Sequence, residues 1–156
     1  MKLPGKSAIV TGGGRDIGAA LAKTLAREGA SVAISHFQSA SGADAVVSEI
    51  EEAGGNAVAV QADLNIQAVV NALVATTVDA FGGVDILVNN AGGLVARKTI
   101  AEMDLANWQH VMDLNLTSTF MMTKAYLAHM GRGAIVNIAS QAGRDGGGAG
   151  AVAYAT

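Results

Sequence analysis

The sequence contains no cysteine and only one proline, Pro4. Without cysteine there is no disulfide framework and no thiolate metal site, and the composition is compatible with the reducing cytoplasm, where we expect this protein. No cluster of His, Asp and Glu has a metal-ligand spacing, so we expect no bound metal. Residues 1–6 lack the apolar segment of a signal peptide. No run of about 18 apolar residues occurs, and we therefore expect no membrane span.

Excess charge of either sign is also scarce, because 10 basic and 13 acidic residues leave a net charge of −3. There is no basic block, which makes nucleic acid and anionic membrane surfaces poor candidates as partners. What the sequence does have is apolar residues, which make up 51% of its 156 positions, enough for the core of one ordinary domain.

Five short apolar runs alternate with longer segments of helical periodicity. The runs are continuous rather than alternating in polarity, as expected for strands that are covered on both faces. They lie at residues 8–10, 32–34, 57–60, 86–88 and 135–139.

The segments between these runs carry apolar residues at helical spacing, as at Ile17, Leu21 and Leu25. Residues 104–130 have a weaker period, which allows either two helices or one bent helix. Glycines mark the expected helix ends, at Gly29, Gly54, Gly82 and Gly131.

This succession of elements predicts an α/β fold with a doubly wound parallel sheet of Rossmann type. Right-handed crossovers place the first strand centrally and give the strand order 3-2-1-4-5. We expect a single domain over residues 1–156, since no repeat or linker interrupts the pattern.

The first strand leads into Thr-Gly-Gly-Gly-Arg-Asp-Ile-Gly, residues 11–18, and a helix follows. Glycine lets the backbone turn tightly and approach a pyrophosphate, whose charge is favourable at a helix N-terminus. The spacing is wider than the common Gly-x-Gly-x-x-Gly. The alternative is a plain glycine turn between a strand and a helix.

Polar residues follow the third and fourth strands, at the edge where open α/β sheets bind ligands. Asp63 could accept a hydrogen bond from an adenine amino group, or cap a helix beginning near Asn65, which its residue type alone favours. Asn-Asn-Ala-Gly, residues 89–92, combines amides that can bond neighbouring loops with small residues that leave room for a ribose. The alternative for this segment is an Asx-rich turn.

Ser140 follows the fifth run, and the glycine-rich residues 143–150 separate it from Tyr154. A hydroxyl at a strand end and a phenol one flexible loop later can be brought together over a carbonyl group. By themselves, however, these two residues are more typical of a strand-end hydroxyl and a half-buried aromatic.

Together these motifs resemble the classical short-chain dehydrogenase/reductase family, which includes 3-oxoacyl-carrier-protein reductases. That family carries a glycine-rich turn, an acidic residue after strand three, Asn-Asn-Ala-Gly, a helix asparagine, a serine after strand five and Tyr-x-x-x-Lys. The resemblance covers essentially the whole sequence and implies catalytic roles for Asn115, Ser140 and Tyr154. The cofactor contacts that it implies are Thr11, Gly12, Gly14, Arg15, Asp16, Ile17, Gly18, His36, Asp63, Leu64, Asn89, Ala91 and Gly92.

The resemblance also implies a chemistry, namely hydride transfer between a nicotinamide cofactor and a small carbonyl or alcohol substrate. Tyr154 would be the general acid in reduction and the general base in oxidation. Ser140 would hydrogen-bond the reacting oxygen, and Asn115 would support the helix backbone and a water in a proton relay. Members of the family form homodimers or homotetramers, and we expect the same of the full-length protein.

The sequence departs from the family pattern at two places. Asp16 replaces the middle glycine of the turn, and its charge should weaken pyrophosphate binding unless the side chain points away or caps the helix; we expect it to be tolerated. The motif lysine would be residue 158, so we expect little turnover from these 156 residues and a natural chain that continues with further strands and helices. The alternative reading is a non-catalytic NAD(P)-binding redox sensor or an inactive fragment.

The second strand indicates which nicotinamide cofactor is used. It ends in Ser-His-Phe-Gln, residues 35–38, with no carboxylate to repel a 2′-phosphate. Arg15 could pair with that phosphate, although it could equally be a solvated loop cation. We therefore expect NADP(H) to be favoured over NAD(H).

Overall fold

Five parallel β-strands form the centre of the computed structural model, which describes all residues from Met1 to Thr156. Their order is β3-β2-β1-β4-β5, so both the predicted fold class and the predicted strand order 3-2-1-4-5 are confirmed. The strands are β1 (Ser7–Val10), β2 (Ser31–His36), β3 (Asn56–Gln61), β4 (Ile86–Asn89) and β5 (Ala134–Asn137).

Helices connect the strands on both faces of the sheet. Residues 104–130 contain two helices, α4 and α5, joined without a break by a π-helical turn at Asp113–Thr117. The helices are α1 (Asp16–Arg27), α2 (Ala40–Glu52), α3 (Gln67–Phe81), α4 (Leu105–Met112), α5 (Ser118–Leu127), α6 (Ala142–Asp145) and α7 (Val152–Ala155). None of them is long and apolar enough to cross a membrane.

Two details of the predicted helix ends are wrong. The helix before β5 ends at Leu127, ahead of Gly131, because the His129 N–H bonds to the Tyr126 carbonyl and tightens the last turn. Helix α3 begins at Gln67, and Asp63 therefore does not cap it. The Asp63 carboxylate instead accepts the Asn65 N–H at 2.9 Å, which forms a turn ahead of the helix.

The core has two layers because neighbouring residues of each strand point to opposite faces of the sheet. Ile9 of β1 packs with residues of α3 and α5, including Leu73 and Tyr126. Val10 packs on the other face, with residues of α1 and α2 that include Ala22 and Ile50. This double burial explains the continuous apolar runs of the inner strands.

The edge strand β5 departs from that expectation. Three of its four residues are exposed, including Val136, so its apolar run is not covered on both faces in this chain. β5 is nevertheless anchored at its start, where the Ala134 N–H and the Tyr126 hydroxyl both donate to the Asp85 carbonyl, at 2.9 and 2.6 Å. Lys6 donates to the Asp85 carboxylate at 2.7 Å, and this hydrogen bond holds the pKa of Asp85 below its usual value.

The glycine turn between β1 and α1 contains a residue in an unfavourable conformation. Asp16 has a φ of 47°, in the left-handed region where a Cβ is sterically costly. Its side chain is 81% exposed and lies 3.8 Å from the Arg15 guanidinium. The carboxylate thus points to solvent, which is one of the two ways in which we expected it to be tolerated.

We expect Asp16→Gly to raise the free energy of unfolding by about 1 kcal/mol, because glycine adopts a positive φ without the cost of a Cβ. Urea denaturation at neutral pH measures this change.

Two control variants at position 16 separate the effect of the charge from that of the backbone conformation. Asp16→Asn removes the carboxylate but keeps a residue tolerant of the left-handed region, and should change stability little. Asp16→Ala should be destabilising, and an alanine variant as stable as the glycine variant would contradict the proposed strain.

Candidate active site

The glycine turn brings α1 against the backbone of the preceding loop. A Cβ on Gly18 would overlap the Gly12 carbonyl oxygen, and one on Gly12 would lie 3.2 Å from Ala91 Cα. A Cβ on Gly14 would lie 3.0 Å from the backbone nitrogen of Ala43 in α2. The bare backbone therefore forms a cradle beside the N-terminus of α1, which is suited to an anionic group.

Thr11 joins this cradle to the loop after β4. Its side chain is buried, and its Oγ1 accepts the N–H groups of Asn90 and Ala91 at 2.9 and 3.0 Å. The Asn90 amide donates in return to the Thr11 carbonyl at 2.9 Å. Asn90 is a site residue that sequence reasoning missed, although the doubled asparagine of residues 89 and 90 is a signal for it.

The π-helical turn places Asn115 against the same loop. Its Oδ1 accepts the Gly93 N–H at 2.9 Å, and its Nδ2 donates to the carbonyls of Gly93 and Val111 at 3.0 and 2.8 Å. A Cβ on Gly92 would lie only 2.7 Å from Asn115 Oδ1. Asn115 thus supports the helix backbone and the loop, and it is not among the residues that line the cavity of Ser140 and Tyr154.

Asn89 lies beneath this surface rather than on it. It is 5% exposed, and its Nδ2 donates to Thr123 of α5 and Asn137 of β5 at 3.2 and 2.9 Å. Its side chain therefore ties the two strands to the helix and supports the loop from below.

Residues after β2 and β3 extend the same edge of the sheet. His36 is 8% exposed, and its Nδ1 is buried without a hydrogen-bond partner. His36 ends β2 and pairs with Gln61 at the end of β3. Asp63 and Leu64 follow Gln61 closely; Asp63 is half-buried and Leu64 is buried. A buried nitrogen without a protein partner at this edge of the sheet fits a polar group of a ligand that runs from the glycine cradle. The Arg15 side chain is 78% exposed and is not committed to a protein partner other than Asp16.

A separate cavity of about 380 Å³ is lined by both Ser140 and Tyr154. Ser140 lies three residues after the end of β5, and its Oγ accepts the Ala142 N–H at 3.1 Å, which ties the serine to the start of α6. Tyr154 reaches the cavity from the short helix α7. The cavity is lined by Leu94, Arg97, Ser140, Gln141, Ala142, Asp145, Gly147, Gly148, Ala151 and Tyr154.

The structure therefore brings together Ser140 and Tyr154, which the sequence separates by a glycine-rich loop. A phenol and a hydroxyl in one cavity can donate a proton and a hydrogen bond to the same carbonyl oxygen. Sequence reasoning missed Arg97 and Asp145 in this cavity, and neither belongs to a motif that could have indicated it.

Comparisons with known proteins show similarity over nearly the whole chain. A sequence profile described as short chain dehydrogenase matches residues 6–156. A 3-oxoacyl-[acyl-carrier-protein] reductase of Synechocystis is 46% identical over 148 residues, which cover 92% of this chain and 59% of that protein.

Solved structures show the same likeness. A short chain dehydrogenase from Burkholderia cenocepacia in complex with NADP is 40% identical with a TM-score of 0.94, and the match covers 99% of this chain and 63% of that one. An NADH-dependent reductase responsible for alginate metabolism is 37% identical with a TM-score of 0.92, and covers 98% and 65%. This chain thus spans 59% to 65% of the lengths of these relatives. Because the profile extends over nearly all of its residues and the relatives share its sheet as well as its sequence, this chain belongs to the short-chain dehydrogenase family.

Proposed function

We propose that this chain carries the cofactor-binding edge and the catalytic hydroxyls of an NAD(P)-dependent oxidoreductase that acts on small carbonyl or alcohol substrates. The observation that carries the proposal is the shared cavity of Ser140 and Tyr154. We further propose that residues 1–156 act as one dinucleotide-binding domain, since all five strands form one sheet. A cytoplasmic location stays a prediction from the absence of cysteine.

The residues at the sheet edge fit a dinucleotide. The glycines of the cradle let its backbone pack closely against α1, α2 and the loop after β4, and the N-terminus of α1 favours a pyrophosphate. His36 and Asp63 would receive the adenosine end, and the loop at Ala91 and Gly92 would receive the ribose next to the nicotinamide. When bound, the cofactor supplies or accepts the hydride.

The side chains of this protein would handle the proton. In reduction the Tyr154 phenol would donate its proton to the substrate oxygen, while the Ser140 hydroxyl donates a hydrogen bond to that oxygen. In oxidation the phenolate would take the proton back. A phenol needs a neighbouring cation for efficient proton transfer at neutral pH, and the family resemblance assigns that role to a lysine at position 158.

We expect the 156-residue chain to reduce ketones slowly in the presence of NADPH, about 10²- to 10⁴-fold below an enzyme with the complete motif. Tyr154→Phe should abolish the residual turnover and leave the dissociation constant of NADPH unchanged. Consumption of NADPH, with a 3-oxoacyl thioester and a simple ketone as substrates, measures both effects. Rates typical of the family, or turnover indifferent to Tyr154→Phe, would contradict the proposal. Tight binding of NADPH without any turnover in the unaltered chain would favour the redox-sensor alternative.

We propose that NADP(H) is the preferred cofactor. The end of β2 offers no carboxylate to repel a 2′-phosphate, and the exposed Arg15 guanidinium lies at the neighbouring turn. The Burkholderia relative is described with NADP, whereas the reductase of alginate metabolism is described as NADH-dependent. The preference of this chain therefore depends on its own residues.

We expect NADPH to bind more tightly than NADH, and Arg15→Gln to weaken NADPH about tenfold, since loss of one charge-assisted phosphate contact costs about 1.4 kcal/mol. NADH binding should barely change. Titration of nucleotide fluorescence gives both dissociation constants, with Arg132→Gln as a matched control for the loss of an exposed arginine. Tighter binding of NADH than of NADPH would overturn the assignment.

We also propose that the protein associates with copies of itself, as a homodimer or homotetramer in the full-length form, through a helix face that residues 1–156 already contain. Leu116, Phe120 and Leu127 are 64%, 62% and 53% exposed, and they are spaced four and seven residues apart along the π-helical turn and α5. This spacing places large apolar side chains on one helix face, which is typical of an interface.

Light scattering on the purified chain should show an assembly larger than the monomer, and Phe120→Glu should shift it toward the monomer. Ile100→Glu changes an exposed isoleucine away from α5 and should have no effect. A monomeric wild-type chain, or dissociation by both variants alike, would contradict the assignment of this face.

A further inference from the structure

The segment between β4 and α4 holds the loop that precedes Tyr154. We call residues 94–98 the clamp and residues 146–151 the glycine loop. The Lys98 N–H donates to the Gly150 carbonyl at 2.9 Å, and Lys98 and Ala151 form an isolated parallel bridge. Arg97 Nη1 donates to the carbonyls of Gly147 and Ala149 at 3.2 and 2.9 Å. Three carbonyls of the glycine loop thus accept hydrogen bonds from two clamp residues.

The glycine loop has little to order it from within. Four of its residues have a positive φ, and glycine loses more conformational freedom on ordering than any other residue. Within the loop, the Ala151 N–H bonds to the Gly148 carbonyl at 3.2 Å. Contacts from outside must therefore select its conformation. The residues with positive φ are Gly146, Gly147, Gly148 and Gly150.

The clamp is itself held in an unusual conformation. Val95 has a φ of 64°, and the Ala96 N–H donates to the Leu94 carbonyl at 2.8 Å, which closes a three-residue turn around it. A β-branched residue in the left-handed region is strained and persists only where the surroundings fix it. The strained turn directs Arg97 and Lys98 toward the glycine loop.

The far end of the clamp is tied to α4. Lys98 Nζ lies 3.0 Å from the Asp104 carboxylate, which caps α4 by accepting the Asn107 N–H at 2.7 Å. That backbone hydrogen bond holds the pKa of Asp104 below its usual value. Helix α4 also packs against α7, the helix that contains Tyr154. The clamp and α7 are therefore both held by α4.

Helix α7 has only four residues and begins directly after the glycine loop, so it cannot fix the position of Tyr154 by itself. Arg97 lines the same cavity as Ser140 and Tyr154. We propose that Arg97 is a positioning residue, whose guanidinium holds the glycine loop so that Tyr154 faces Ser140. The importance of that pairing for catalysis rests on the proposed function, whereas the positioning itself does not.

The lack of cysteine permits a direct measurement of the positioning. Ser140→Cys combined with Tyr154→Cys introduces the only two thiols of the chain, and a bis-alkylating bimane reagent becomes fluorescent when it bridges them. We expect Arg97→Gln in this background to slow bridging about fivefold, because the two side chains no longer meet in one arrangement. Arg97→Lys should restore part of the rate by keeping a donor and a charge. Arg132→Gln, in an exposed turn before β5, should leave the rate unchanged.

Amide hydrogen exchange provides a second readout in the otherwise unaltered chain. Arg97→Gln should speed the exchange of peptides covering residues 146–155 about tenfold, while peptides of β1 and α1 keep their protection. Neither measurement uses a cofactor or turnover. Failure to bind NADPH would therefore contradict the proposed function but not the positioning role of Arg97. Unchanged bridging and exchange rates would contradict the positioning role but not the proposed function.

Gly150→Ala probes the same contact from the other side if Arg97→Gln fails to fold. An added Cβ would lie 3.0 Å from the Lys98 nitrogen and 3.1 Å from Arg97 Cβ, at a φ of 73° that alanine rarely adopts. It should reproduce the slower bridging and the faster exchange. Bridging and exchange at wild-type rates in the folded Arg97→Gln or Gly150→Ala variants would overturn the proposal.

Discussion

The hydrogen bonds of Thr11 hold the functional edge of the sheet together. β1 is the central strand, and Thr11, which is buried directly after it at the start of the glycine turn, accepts two N–H groups from the loop after β4. The Asn90 amide completes the junction by donating to the Thr11 carbonyl. Each of these polar groups would be costly to bury without its partner, so the two loops take up one mutual arrangement. The glycine cradle lies on one side of this junction. On the other side lies the loop after β4, which Asn115 supports and which continues into the clamp.

Close approach of backbones is the second constraint, and it explains where strain is found. Gly12 and Gly18 let neighbouring backbone segments come so close that a side chain at either position would clash or crowd them. Two other residues, Asp16 and Val95, take a positive φ without being glycine. Asp16 is the first residue of α1, beside the cradle, and Val95 lies in the loop that leads to the cavity. Backbone strain that the surroundings enforce tends to collect at functional sites, and both outliers lie beside the site proposed for this chain.

Much of the fold could be predicted from local patterns. Continuous apolar runs indicated buried parallel strands, and the chirality of crossovers then fixed their order. The same reasoning failed where a local pattern had two physical outcomes. Asp63 closes a turn rather than capping α3, and the last helix before β5 ends ahead of Gly131. The apolar composition of β5 predicted a buried strand, but three of its four residues are exposed. Burial of a strand depends on which elements pack against it, and its own sequence does not specify them.

The sequence by itself determined the sheet, the glycine turn and the residue types that can bind a dinucleotide and move a proton. These follow from periodicity, from the need for glycine at close contacts and from motif order, all of which are local properties. Only the tertiary structure decided which groups meet. It joined Thr11 to Asn90, placed Ser140 and Tyr154 in one cavity, and set Arg97 against the carbonyls of the glycine loop. Such contacts join residues far apart in the chain, and their geometry depends on packing that no short sequence pattern encodes.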